Sequence, residues 1–154
     1  MIVVIVSFAW LGLLCAALAW IDLRYGIIPD WLNLAIAGLG LTKAVILGSP
    51  LIGLELACEG AAIGAIFWLL RRLYFAFRNI QGLGLGDVKF LAAAGTWVGV
   101  AGLPMLLLVA ALTALVSAGI MQLAGSKLTR QTSLPFGPFL AIGLLVALAF
   151  QLQR

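Results

Sequence analysis

The chain has 154 residues, of which 65% are hydrophobic and only 9% charged, with a mean hydropathy of +1.24. A soluble core of this size cannot hide so much apolar surface, so lipid is the solvent; disorder, a disulfide scaffold and an ordinary cytosolic enzyme are excluded. The net charge of +4 rests on nine basic residues that also serve as membrane anchors, which excludes nucleic acid as a partner.

A spanning helix needs ~20 apolar residues. The chain therefore reads as one all-α transmembrane domain, residues 1–154, with six transmembrane helices and no room for a soluble domain. The first span is residues 2–21. No basic segment precedes it and Arg24 follows it, the opposite of a secretory signal, so it is a retained helix with its N-terminus outside. Gly26, Pro29 and Asp30 break the chain before the second span, 31–47, which ends at Gly48-Ser49-Pro50. The third, 51–70, ends at Arg71-Arg72, and a polar, glycine-rich stretch follows from Arg78 to Lys89. A short fourth span, 88–100, is expected to turn at Gly102-Leu103-Pro104 into the fifth, 103–124. A polar loop from Gly125 to Leu134 leads to the sixth, 135–152.

Six spans put loops 22–30, 71–87 and 125–135 on one side, with Arg24, Arg71, Arg72, Arg78, Lys127 and Arg130. The other side has two tight turns without basic residues, plus Lys43 near a helix end and Arg154. By the positive-inside rule the three long loops face the cytoplasm and both termini face outward. Trp20, Trp31 and Trp68 fall near that inner boundary, as an aromatic belt does.

Histidine is absent, which removes histidine triads and most zinc sites. Cys15 and Cys58 sit in apolar runs without a CxxC pair and read as small buried hydrophobes, so neither a metal nor a redox motif is present. Gly60-x-x-x-Gly64 and Gly95-x-x-x-Gly99 read as close helix packing.

There are five acidic residues, and in so apolar a chain each needs a reason. Asp22 lies at the end of the first helix and Asp87 at the start of the fourth, both at the cytoplasmic boundary. Two converging carboxylates are the minimum for activating water: one takes its proton while the other donates to a carbonyl oxygen. The alternative is two acids that are solvated separately. Asp30 reads as the N-cap of the second helix. Glu55 and Glu59 share a helix face. Glu55 is placed to pair with Lys43 across the hairpin, whereas Glu59, a turn deeper, is paired, protonated or facing water.

Residues 82–91 read Gly-Leu-Gly-Leu-Gly-Asp-Val-Lys-Phe-Leu. Alternating glycines let another extended backbone approach, and the aspartate presents a carboxylate to it. A phosphate-binding reading fails: the Walker ending is missing and Asp87 would repel phosphate.

With this motif the chain resembles the type IV prepilin peptidases, GxGD-type intramembrane aspartic proteases. Three blocks carry the resemblance: Asp22 with Ile28-Pro29-Asp30; Gly84-Leu85-Gly86-Asp87-Val88-Lys89 running into Ala92-Ala93-Ala94-Gly95; and Pro135-Phe136-Gly137-Pro138-Phe139. Their order and spacing match along essentially the whole chain. The resemblance implies a bacterial inner-membrane endopeptidase. It would cut the short basic leader from prepilin or pseudopilin precursors at the cytoplasmic face, for pilus assembly or type II secretion, with membrane lipid around it and no cofactor or metal. By position Asp22 and Asp87 would be the catalytic pair, and Gly84, Gly86 and Lys89 would be substrate contacts. Lys89 could also anchor at headgroups or bias the charge of Asp87.

Larger family members add an N-terminal methyltransferase domain with paired CxxC motifs. Nothing in these residues corresponds to it, so the short form is expected to lack methyltransferase activity. Gln81 stands where many relatives have glutamate, and Phe90 where leucine is usual. The macrodipole disfavours an anion at the end of a helix and favours one at its start, so the shared proton is expected mostly on Asp22. Gly86→Val is expected to cripple turnover more than folding. Two other readings remain: a small transporter or channel subunit using Glu55, Glu59 and Lys43, and a non-catalytic assembly protein of a secretion system.

Overall fold

A computed structural model describes residues 2–78, 83–124 and 135–153. Gln81, Gly82, the loop 125–134 with Lys127 and Arg130, and Arg154 lie outside the described residues. The described residues form five helices: α1 (Ile2–Tyr25), α2 (Asp30–Leu47), α3 (Pro50–Arg78), α4 (Leu85–Leu123) and α5 (Gly137–Leu152). Four of them, α1 to α4, are long and apolar enough to cross a membrane. The chain is a multi-pass membrane protein.

α1, α2, α3 and α5 coincide with the first, second, third and sixth expected spans, but α3 continues past Leu70 to Arg78. Its 29 residues extend ~43 Å, beyond the ~30 Å hydrocarbon core. Arg71, Arg72 and Arg78 therefore sit on a helix rather than in a loop.

The fourth and fifth expected spans fall within the single 39-residue α4, so the described residues form five helices where six were expected. Gly102, Leu103 and Pro104 are helical; the one non-helical residue inside α4 is Gly99, at φ 65° and ψ −176°. Positive φ suits glycine, and proline near the start of a helical segment is tolerated, so the break falls at the glycine rather than at Gly-Leu-Pro.

A helix break strands backbone groups, which is costly in lipid. Here side chains meet them on both sides. Gln151 Nε2 donates to the Val98 carbonyl at 2.8 Å, and the Val100 N–H donates to Glu59 Oε2 at 2.8 Å. Glu59 is thus paired with backbone. Glu59→Ala is expected to cost about 1–3 kcal/mol by orphaning that N–H, and Glu59→Gln less, because its amide oxygen still accepts. Thermal unfolding in detergent reads both; an Ala variant that melts with the wild type would remove Glu59 from the fold.

The helices bury narrow stripes and leave the rest to lipid. On α1 the stripe is Ser7, Leu11, Cys15, Leu18 and Asp22. Phe90, Leu106, Leu140 and Leu144 are fully buried at the centre. α3 and α4 touch backbone to backbone: a Cβ on Gly60 would meet the Ala92 carbonyl at 2.7 Å, and one on Gly95 would meet Gly60 Cα at 2.9 Å. The packing role expected of Gly60, Gly64 and Gly95 follows, whereas Gly99 makes the break. Trp97 Nε1 donates to the Ile36 carbonyl at 2.8 Å and ties α4 to α2.

Two expectations fail here. Lys43 does not pair with Glu55; its Nζ lies 4.7 Å from the Trp97 ring centre and 5.4 Å from that of Phe8. Lys43 turns inward to these rings while Glu55 is exposed, and a cation over an aromatic face is attracted by its quadrupole. Cys15 is buried as expected, but Cys58 is exposed; in a membrane helix an apolar position need not face protein.

Candidate active site

Asp22 is carried inward by the buried stripe of α1, being four residues after Leu18 on the same face. It is only 5% exposed. Its partner comes from the other end of the chain. The Gly137 N–H, at the start of α5, donates to Asp22 Oδ2 at 2.8 Å. Pro138 stands in the first turn of α5, where proline suits a helix start. A side chain at 137 has no room: its Cβ would lie 2.7 Å from Asp22 Oδ2.

Asp87 is placed by the first turn of α4. Gly84, extended at φ −65° and ψ 145°, is the N-cap residue. The Asp87 carboxylate turns back onto it: a Cβ on Gly84 would lie 2.9 Å from Asp87 Oδ2. Asp22 and Asp87 line one cleft of about 680 Å³ and are close enough for their charges to repel. Like charges at such range resist double ionisation.

Gly84, Gly86 and Lys89 line the same cleft. Both Asp30 oxygens hold the Lys89 Nζ at 2.7 Å. Asp30 is therefore not a side-chain cap. Pro29 occupies the N-cap position with no side-chain bond, and Asp30 is the first helical residue, still favourably placed against the helix dipole. Gly86 packs on the segment between α1 and α2, where its Cβ would meet Ile28 Cβ at 2.9 Å. Gly86→Val thus strains that contact and burdens folding as well as turnover. Gly84→Ala is the cleaner probe, since its Cβ would meet only the Asp87 carboxylate, at 2.9 Å.

Asp87 stands in the first turn of α4, as the dipole argument has it, but Asp22, in the last turn of α1, also meets the N-terminus of α5 through Gly137. Glu55, Glu59 and Lys43 do not converge: Glu55 is exposed, Glu59 is bonded to Val100, and Lys43 faces two rings. Gly137 had no assigned role in the sequence reading, although its block was visible; only the contact with Asp22 reveals it.

Comparison with known proteins gives one consistent family. The profile of the type IV leader peptidase family matches residues 8–119. A Burkholderia pseudomallei protein named prepilin leader peptidase/N-methyltransferase is 39% identical over 134 residues, covering 84% of this chain and 42% of the relative. Proteins of the same name are similar at 40% identity in Dickeya chrysanthemi, over 85% of this chain and 47% of the relative, and at 38% in Escherichia coli K12, over 86% and 58%. The chain thus spans about half the length of the curated relatives it matches. No solved structure matches it significantly. The three blocks, the shared cleft and the match along most of its length leave one conclusion: the chain belongs to the type IV leader peptidase family.

Proposed function

We propose that this chain is a membrane-embedded aspartic endopeptidase that removes the leader from prepilin-like precursors at the cytoplasmic face of the bacterial inner membrane. The observation that carries this reading is the meeting of Asp22 and Asp87, from α1 and α4, in one cleft beside the glycine segment. One carboxylate takes a proton from water, and the water oxygen attacks the scissile carbonyl carbon. The other donates a proton to the carbonyl oxygen, and collapse of the tetrahedral intermediate breaks the C–N bond as the leaving nitrogen is protonated. The shared proton makes these complementary states available together.

The substrate must be an extended segment where it is cut, because a helix hides its carbonyls. Gly84 and Gly86 favour close approach of such a backbone. The charge bias supports a cytoplasmic position for the cleft.

Six crossings remain our reading of the topology. α5 begins at the cleft, where Gly137 meets Asp22, and ends with Gln151 on Val98. A Cβ on Gly143, between them, would meet Leu106 and Ala110. α4 beyond Gly99 therefore runs back along α5 toward the cleft side, as two crossings within one helix require. Cysteine accessibility labelling at either end of α4 tests this; both ends on one side support two crossings, and opposite sides exclude them.

The functional test is cleavage of a prepilin precursor in liposomes by the wild-type chain and by each aspartate variant. Activity that survives loss of Asp22 and Asp87 but not of Glu59 would favour the transporter reading instead.

A further inference from the structure

Resting on that reading, we infer that Arg71 is a positioning residue for Asp87, acting through the peptide bond that joins Leu83 to Gly84. Arg71 Nε donates to the Leu83 carbonyl at 2.9 Å. In the last turns of α3 the residues from Arg72 to Arg78 are all exposed, whereas Arg71 is half-buried. The next peptide group completes a chain. The described backbone holds no cis bonds, and in a trans peptide the carbonyl and the following N–H point in opposite directions. With its oxygen held by Arg71 on the α3 side, the Leu83–Gly84 peptide directs the Gly84 N–H away from α3. The Asp87 carboxylate rests on that same residue, its Oδ2 2.9 Å from where a Cβ on Gly84 would stand.

A guanidinium thus grips one end of the peptide group against which the carboxylate rests. The Arg71 bond is charge-assisted, so it fixes the segment that enters α4. The reach of α3 beyond the bilayer core now has a use, because it brings Arg71 to the segment entering α4. Besides Asp87, the charged side chains on the cleft are Asp22 from α1, Asp30 from α2 and Lys89 from α4. Asp30 and Lys89 bind each other, so neither substitutes for Arg71.

Arg71→Leu, Arg71→Gln, Arg71→Lys and Arg72→Leu in the full chain test this, with a prepilin precursor in liposomes as the probe. Arg72 is the control: it removes the same charge, but its guanidinium lies over Trp68, 5.3 Å from the ring centre. Arg71→Leu is expected to lower kcat about tenfold or more, the effect of a misplaced catalytic group, with KM kept within about twofold. Arg71→Lys, which keeps a cationic donor, should recover part of kcat, and Arg72→Leu should match the wild type. The Gly84 amide proton resonance, read by NMR in detergent, should shift in Arg71→Leu and again in Asp87→Ala.

Wild-type kcat in Arg71→Leu, equal losses at positions 71 and 72, or a raised KM with unchanged kcat would each overturn the assignment. Should Arg71→Leu not fold, Arg71→Gln carries the comparison with the same criteria. Cleavage that persists in Asp87→Asn would instead refute the peptidase reading, and the Gly84 resonance would still report on the Arg71 contact.

Discussion

Asp22→Asn and Asp87→Asn are each expected to slow precursor cleavage by at least about a thousandfold, with the double variant no slower than the slower single one. Groups that act on one water and one carbonyl work as a unit, so removing the second costs nothing once the first is gone. The variants should fold. Asparagine is nearly isosteric, and at position 22 its amide oxygen can still accept from the Gly137 N–H. Removing one of two repelling charges also relieves strain within the cleft. Single-turnover cleavage with purified protein in liposomes measures the loss, and a melting curve in detergent confirms folding. Independent, multiplicative losses would mean the two carboxylates serve separate steps, and normal complementation by the double variant would favour a non-catalytic assembly protein.

The second large effect is at a residue with no chemistry of its own. Gly137→Ala is expected to lower turnover by about a hundredfold, because a displacement near 1 Å at a reacting group costs that much. The new Cβ would fall 2.7 Å from Asp22 Oδ2 and 2.9 Å from its Cγ, so the carboxylate must move. Stability should change far less than activity, because the helix start that Pro138 favours is kept. Paired measurements of kcat and melting temperature decide it. Wild-type turnover in Gly137→Ala would show that Asp22 tolerates displacement, and that the Gly137 N–H does not set its position.

Several misreadings have a common physical origin. Lys43 and Glu55 were matched by depth along neighbouring helices, but depth says nothing of the direction in which each side chain points. Lys43 turns inward to Phe8 and Trp97, and Glu55 outward. Glu59 could be narrowed only to paired, protonated or hydrated, because its partner exists only where α4 breaks at Gly99. The break lies three residues before the expected turn: Gly-Leu-Pro has the local composition of a turn, whereas Gly99 is flanked by valines in an apolar run. Asp30 has the residue type and place of a cap; its partner, Lys89, is 59 residues away.

Composition and hydropathy alone determined that the chain lives in lipid as a bundle of helices, because transfer of apolar surface depends on how much there is and not on how it is arranged. The glycine-aspartate segment and the two flanking blocks were equally legible, since they are local in the chain. Only the tertiary structure decided that Asp22 and Asp87 share a cleft, that Gly137 holds Asp22, and that Arg71 grips the segment entering α4. Those contacts join residues far apart in sequence, and a hydrogen bond depends on direction to within a fraction of an ångström, which only the packing of α1, α3, α4 and α5 against one another can set.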